Sequence, residues 1–125
     1  MRLALLALAL LALALVACAP SSQVTETRMM TALARPATCT LAFVDADSTN
    51  PTFTQTWDIL GYVTITAASS SDPAAEANRK QVRAHACAMG GTSVGVAIAA
   101  TNGAGSSIGY IVLRPKQAPT GPQTF

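Results

Sequence analysis

Trp57-Asp58-Ile59-Leu60-Gly61-Tyr62-Val63-Thr64-Ile65-Thr66-Ala67 is the longest strand signal in this chain of 125 residues. β-Branched and aromatic residues dominate it, and these fit a pleated, half-buried surface. Period-two alternation predicts Ile59, Gly61, Val63, Ile65 and Ala67 on one face, with Leu60, Tyr62, Thr64 and Thr66 on the other. A glycine inside such a run marks a bulge or a close backbone approach. Trp57 at its start is expected to lid the core rather than to receive a ligand.

On the N-terminal side, Thr38 to Val44 reads as a first strand, with Cys39, Leu41 and Phe43 alternating onto one face. The cluster Asp45-Ala46-Asp47-Ser48-Thr49-Asn50-Pro51 that follows is built from turn formers. It resembles the start of a calcium loop, but the central glycine and closing glutamate are missing, so a solvated turn is expected.

On the C-terminal side, Asp72-Pro73 reads as a helix start, with Asp72 as N-cap and Pro73 at the first helical position. The helix is expected to run to Met89 and stop at Gly90-Gly91, where a left-handed residue is tolerated. Ala75, Val82, Ala86 and Met89 fall on one face at helical spacing. Thr92 to Ala100 and Ile108 to Arg114 then read as a β-hairpin, with a loop longer than the tight two-residue kind. The expected fold is therefore α+β, a small four-stranded antiparallel or mixed sheet with one helix on one face, in the order β-β-α-β-β.

The other end of the chain speaks to location. Arg2 precedes an unbroken run of Leu, Ala and Val from Leu3 to Val16, followed by Ala17 and Cys18. Its 14 residues at roughly 1.5 Å each fall short of a hydrocarbon core of about 30 Å, and match a signal h-region. Leu15-Val16-Ala17-Cys18 resembles the lipobox of bacterial lipoprotein precursors, which implies lipidation at Cys18 and removal of residues 1–17. Ala17-Cys18-Ala19 also fits an ordinary A-x-A cleavage site, but Pro20 would then follow the scissile bond, a poor protease substrate. Two or three acyl chains on Cys18 would make anchoring effectively permanent, at about 0.8 kcal/mol per buried CH₂. The resemblance leans to the outer membrane, since Ala19 stands where enterobacterial lipoproteins retained at the inner membrane carry Asp.

Removing residues 1–17 leaves 108, enough for one small domain. Seven of the eight basic residues then face six acidic ones, with no clustered basic face of the kind nucleic acid requires. With Cys18 consumed by lipid, Cys39 and Cys87 remain as one disulfide pair in an oxidising compartment. The organisation expected is signal 1–17, lipidated N-terminus and flexible tether 18–35, domain 36–114 and a Pro-rich tail 115–125. Within the tether, Met29, Met30 and Leu33 have the alternative of packing on the domain as a short turn or strand.

Trp57-Asp58-Ile59-Leu60-Gly61-Tyr62-Val63 and Ala86-Cys87-Ala88-Met89-Gly90-Gly91-Thr92-Ser93-Val94-Gly95-Val96 together resemble the core of the YbjQ-type and RcsF-type small α/β domains. The likeness spans about 60 residues. RcsF-type proteins are outer-membrane lipoproteins that sense envelope stress. They carry two disulfides where this domain can form one, so the signalling role does not follow from the likeness.

Chemistry is sparse. His85 is the sole histidine, and Cys39, His85 and Cys87 could offer three metal ligands only if the cysteines stayed reduced. His85 and Cys87, two apart on a helix, point about 200° away from each other. His85 is expected to be a solvated helix residue. No G-x-S-x-G, no paired carboxylates on convergent elements and no phosphate-binding loop preceding a helix is expected. An enzyme would need His85 gathered with Asp45, Asp47 or Asp58. The expectation is a non-enzymatic envelope lipoprotein without metal or cofactor, held to the membrane by lipid and facing the periplasm. Its partner would be an envelope protein or peptidoglycan, not nucleic acid. The alternative is a stress or redox sensor acting through Cys39 and Cys87.

Overall fold

The computed structural model describes residues 21–47, 49–103 and 105–116. The chain order is β1 (Gln23–Arg28), β2 (Ala42–Phe43), a one-turn helix α1 (Phe53–Thr56), β3 (Trp57–Ala68), α2 (Glu76–Ala88), β4 (Ser93–Asn102) and β5 (Gly105–Pro115). The sheet runs β1-β3-β5-β4-β2, antiparallel throughout except that β2 lies parallel to β4. The fold is thus α+β with a mixed sheet, of five strands rather than four. The expected signal segment 1–17, Cys18 and the residues beyond Lys116 lie outside the described residues. Among the described residues no helix is long and apolar enough to cross a membrane.

The fifth strand comes from the stretch expected to be tether. Gln23–Arg28 pairs with β3 over its whole length. Val24 and Glu26 are half-buried towards α2, while Gln23, Thr25 and Thr27 are exposed. An inward glutamate hides this alternation from a hydropathy pattern. The expected first strand, Thr38 to Val44, contracts to Ala42–Phe43. Cys39 stands ahead of it, its N–H donating to Pro36 O at 2.8 Å.

β3 departs from simple alternation at the expected glycine. Ile59 pairs with Leu113 and Gly61 with Val112, leaving Leu60 as an extra residue. Such a bulge shifts side-chain parity. Leu60 therefore joins Val63 and Ile65 beneath α2, and Ile59 moves to the opposite face with Tyr62. The expected pattern put both on the wrong sides. Gly61 is also the close approach foreseen: a Cβ there would strike the backbone of Thr27 and lie 2.5 Å from Met89 Cε.

The core has two layers because both sheet faces are covered. Val82 and Ala86 of α2, with Met89 at its C-cap, pack on Leu60, Val63, Ile65, Ile108, Tyr110 and Val112. On the reverse face Phe53, Val44, Ala46 and Trp57 cover Ile59, Ile111 and Leu113, so Trp57 packs on a core as expected.

α2 begins at Glu76, three residues after the expected first helical position. Asp72 does accept a backbone N–H, from Ala74 at 2.9 Å, but it closes a separate turn. That turn's carbonyls are held by the domain: buried Asn78 donates to Ser70 O and Asp72 O, and Tyr110 donates to Pro73 O at 2.6 Å. The helix end is as expected. Gly90 has φ +86°, and the N–H groups of Gly90 and Gly91 donate to Cys87 O and Ala86 O, the Schellman pattern. β4 and β5 form the hairpin, but Asn102 pairs with Gly105, so its loop has two residues and is tighter than expected.

Candidate functional site

Arg79, Val82 and Arg83 stand three and four residues apart on α2, hence on one side of the helix. Val82 is buried, and the two arginines flank it at the surface. Opposite them runs β2, the sheet's last strand, where Ala42 N–H donates to Thr92 O and Val44 N–H to Val94 O. Between helix and strand lies a cavity of about 120 Å³ lined by Leu41, Phe43, Arg79, Val82, Arg83 and Val94. A cavity of about 150 Å³ accepts benzene, so this one is sized for one apolar side chain.

Its walls are fixed from several sides. The expected disulfide joins Cys39 to Cys87, with Cα atoms 5.9 Å apart. The same junction is held by Arg35, which donates from its backbone to Cys87 O at 2.8 Å and from Nη1 to Gly91 O at 2.6 Å. Phe43 packs edge-on against the Tyr110 ring, with centroids 6.2 Å apart. The Arg79 guanidinium stands 4.7 Å above the Phe43 centroid, within cation–π range. Burial, then the negative charge of Asp72, pushes the Tyr110 hydroxyl pKa above its ordinary value, against the opposing effect of Arg79. Tyr110 is accordingly a neutral structural donor.

The electrostatics of the groove are one-sided. Among the described residues the ion pairs are Arg28–Glu26, His85–Glu26 and Arg114–Asp58, and none involves Arg79 or Arg83. A guanidinium fork beside a partly open cavity walled by Leu41, Phe43, Val82 and Val94 suits a carboxylate attached to an apolar group. A wider depression of about 350 Å³ lies between Ala32, Leu33, Arg35, Gly90, Thr92 and the end of β5. Two of its three cations are engaged, Arg35 on Gly91 O and Arg114 on Asp58. It is the weaker candidate.

The residues singled out for chemistry are not brought together. Cys39 and Cys87 are bonded to each other and both are buried, so the three-ligand arrangement with His85 does not form. His85 is a helix residue with its side chain 36% exposed, and it is also paired, its Nδ1 lying 2.5 Å from Glu26 Oε1. Asp58 pairs with Arg114 at 3.3 Å. Asp47 accepts from the N–H and hydroxyl of Thr49, and these bonds hold its carboxyl below the ordinary range. The cluster around it is a turn, as expected. Cys18 lies outside the described residues. Gly91-Thr92-Ser93-Val94-Gly95 does spell G-x-S-x-G, contrary to the expectation that the chain carries none. A nucleophile elbow turns from strand into helix, whereas Ser93 is buried where a helix gives way to β4.

Arg79, Arg83 and Phe43 were missed by sequence reasoning, although the cysteine pair held the clue. Phe43 follows Cys39 by four residues and Arg83 precedes Cys87 by four. A bond between the cysteines lays these two segments side by side.

No protein family, no curated protein and no solved structure matches this chain.

Proposed function

We propose that the chain is a bacterial envelope lipoprotein, lipidated at Cys18 and held at the outer membrane facing the periplasm. Its disulfide-bonded domain is a non-enzymatic binding module. The groove between α2 and β2 receives an apolar side chain and a neighbouring carboxylate from an envelope protein. One observation carries the binding reading: Arg79 and Arg83, without a carboxylate partner among the described residues, share a cavity with Leu41, Phe43, Val82 and Val94. The lipobox-like Leu15-Val16-Ala17-Cys18 carries the location. The groups able to do chemistry have structural engagements, Cys39 with Cys87, His85 with Glu26 and Asp58 with Arg114. Burial of both half-cystines favours a structural bond over the redox-sensor alternative, because thiol exchange requires access.

Titration of the full chain in detergent with N-acetyl-Phe-Glu, followed by amide chemical shifts, tests the groove. Shifts confined to the neighbourhood of Phe43, Val82 and Arg83, and lost in Arg79→Ala/Arg83→Ala, are expected. Soluble muropeptides form the parallel arm. Binding of muropeptides alone transfers the partner to peptidoglycan, and binding of neither probe defeats the binding reading.

A further inference from the structure

β1 is an outermost strand, so one edge of its backbone has no partner strand among the described residues. Met29 N–H donates to Leu60 O, continuing the β1–β3 register in which Thr27 faces Tyr62 and Thr25 faces Thr64. By alternation, the backbone groups of Gln23, Thr25, Thr27 and Met29 are turned to β3, and those of Val24, Glu26 and Arg28 point outward. An uncovered edge of this kind is a template for another strand.

The charges on that edge choose the strand. Glu26 and Arg28 are two apart, on the same side of the sheet, of opposite sign, and in contact with each other at 3.3 Å within one copy. In an antiparallel pairing of β1 with a second β1, a two-fold centred on Glu26 sets two carboxylates face to face. Centring on Thr25 leaves Arg28 opposite Ser22 and Glu26 opposite Val24. Centring on Thr27 sets Glu26 opposite Arg28 twice, with outward-pointing backbone groups at both positions. Opposite charges directly across a ladder attract, and like charges repel. The same register lays Met29 beside the partner's Thr25. Met29, Met30 and Leu33 are 60%, 41% and 91% exposed, an unusual concentration of apolar surface at one end of a strand.

We propose that β1 is a homodimerisation edge, two copies pairing antiparallel about Thr27 with reciprocal Glu26–Arg28 contacts. The pairing joins two five-stranded sheets into one of ten strands. It is independent of the α2–β2 groove, which lies at the opposite end of the strand order.

Cysteine cross-linking on the full chain in detergent tests the register. Facing residues in a non-hydrogen-bonded antiparallel pair have Cα atoms about 4.5 Å apart, which a disulfide spans. In the proposed dimer the two Thr27 residues face each other in this way, and the two Thr25 residues lie roughly 14 Å apart. Thr27→Cys is expected to form a covalent dimer on mild oxidation at least tenfold faster than Thr25→Cys. Arg28→Glu, placed in the Thr27→Cys background with unchanged circular dichroism, is expected to remove that advantage. Equal rates for the two cysteines, no covalent dimer from either, or an advantage that survives Arg28→Glu in the folded protein would overturn the proposal.

Discussion

His85 of α2 donates from Nδ1 to Glu26 Oε1 of β1 at 2.5 Å, across 59 positions of sequence. Four residues earlier in each segment, Gln81 Nε2 donates to Ser22 Oγ, just ahead of β1, at 2.7 Å. These two side-chain bonds tie the sheet's first strand to its helix. A strand with little apolar surface of its own is thereby kept in register, and several consequences can be measured.

The first concerns acid. Partial burial opposes ionisation of Glu26, but hydrogen bonds from His85 and Arg28 outweigh it and hold the carboxyl below its ordinary value of 4.5. A carboxyl whose pKa is lowered by folding contributes stability that is present above the unfolded value and lost as pH falls through the folded one. Hydrogen-exchange protection of β1 amides should therefore fall, relative to β5, as pH drops below 4.5. Glu26→Gln should abolish that step. Protection of β1 that tracks β5 throughout would contradict the assignment.

The second concerns Gly61. Its φ is +156°, and an added Cβ meets the Thr27 backbone and Met89 Cε. Gly61→Ala must move both β1 and the end of α2, and should cost about 2–3 kcal/mol, in the range of overpacked cores. Gly103 has no neighbour within 4 Å of an added Cβ, so Gly103→Ala should change stability by less than about 0.5 kcal/mol. Urea midpoints of the two variants separate the cases.

The third concerns the cystine. Cys39 and Cys87 are separated by 48 positions, and the chain-entropy account assigns such a closure about 4 kcal/mol. Cys39→Ala/Cys87→Ala should lower the urea midpoint accordingly. It should also loosen β2, whose two residues give it little hold of its own. A double variant as stable as the parent would show that Arg35 and the β2–β4 ladder suffice.

The fourth concerns Asn78, buried with Nδ2 donating to Ser70 O at 3.0 Å and Asp72 O at 2.8 Å. Asn78→Ala strands two carbonyls and should cost about 1–3 kcal/mol. Asn78→Asp replaces the donor with a second acceptor and should cost more, with the penalty relieved in acid. Thermal unfolding at two pH values checks both statements.

What the sequence disclosed is what local chemistry decides. β3 announces itself through β-branched residues, the helix end through Gly90-Gly91, and the hairpin through the stretches Thr92 to Ala100 and Ile108 to Arg114. The cystine followed from counting thiols. What it concealed depends on partners distant in the chain. β1 looks like a tether because its inward Glu26 is matched by His85, far along the sequence. Asp72-Pro73 looks like a helix start because nothing nearby reveals that Asn78 and Tyr110 will take the turn's carbonyls. Gly61 marked a bulge, but only the register with Val112 shows that Leu60 and Ile59 change sides. The groove required two segments to be superposed through a disulfide, a step beyond any single stretch.

The proposed anchoring through Cys18 would decide where the groove and the β1 edge operate, so the mature N-terminus is the most direct test. Mass spectrometry of the protein extracted from its native membrane should find an N-terminal peptide starting at Cys18 and carrying a diacylglyceryl group. An unmodified peptide starting at any other residue would contradict the account.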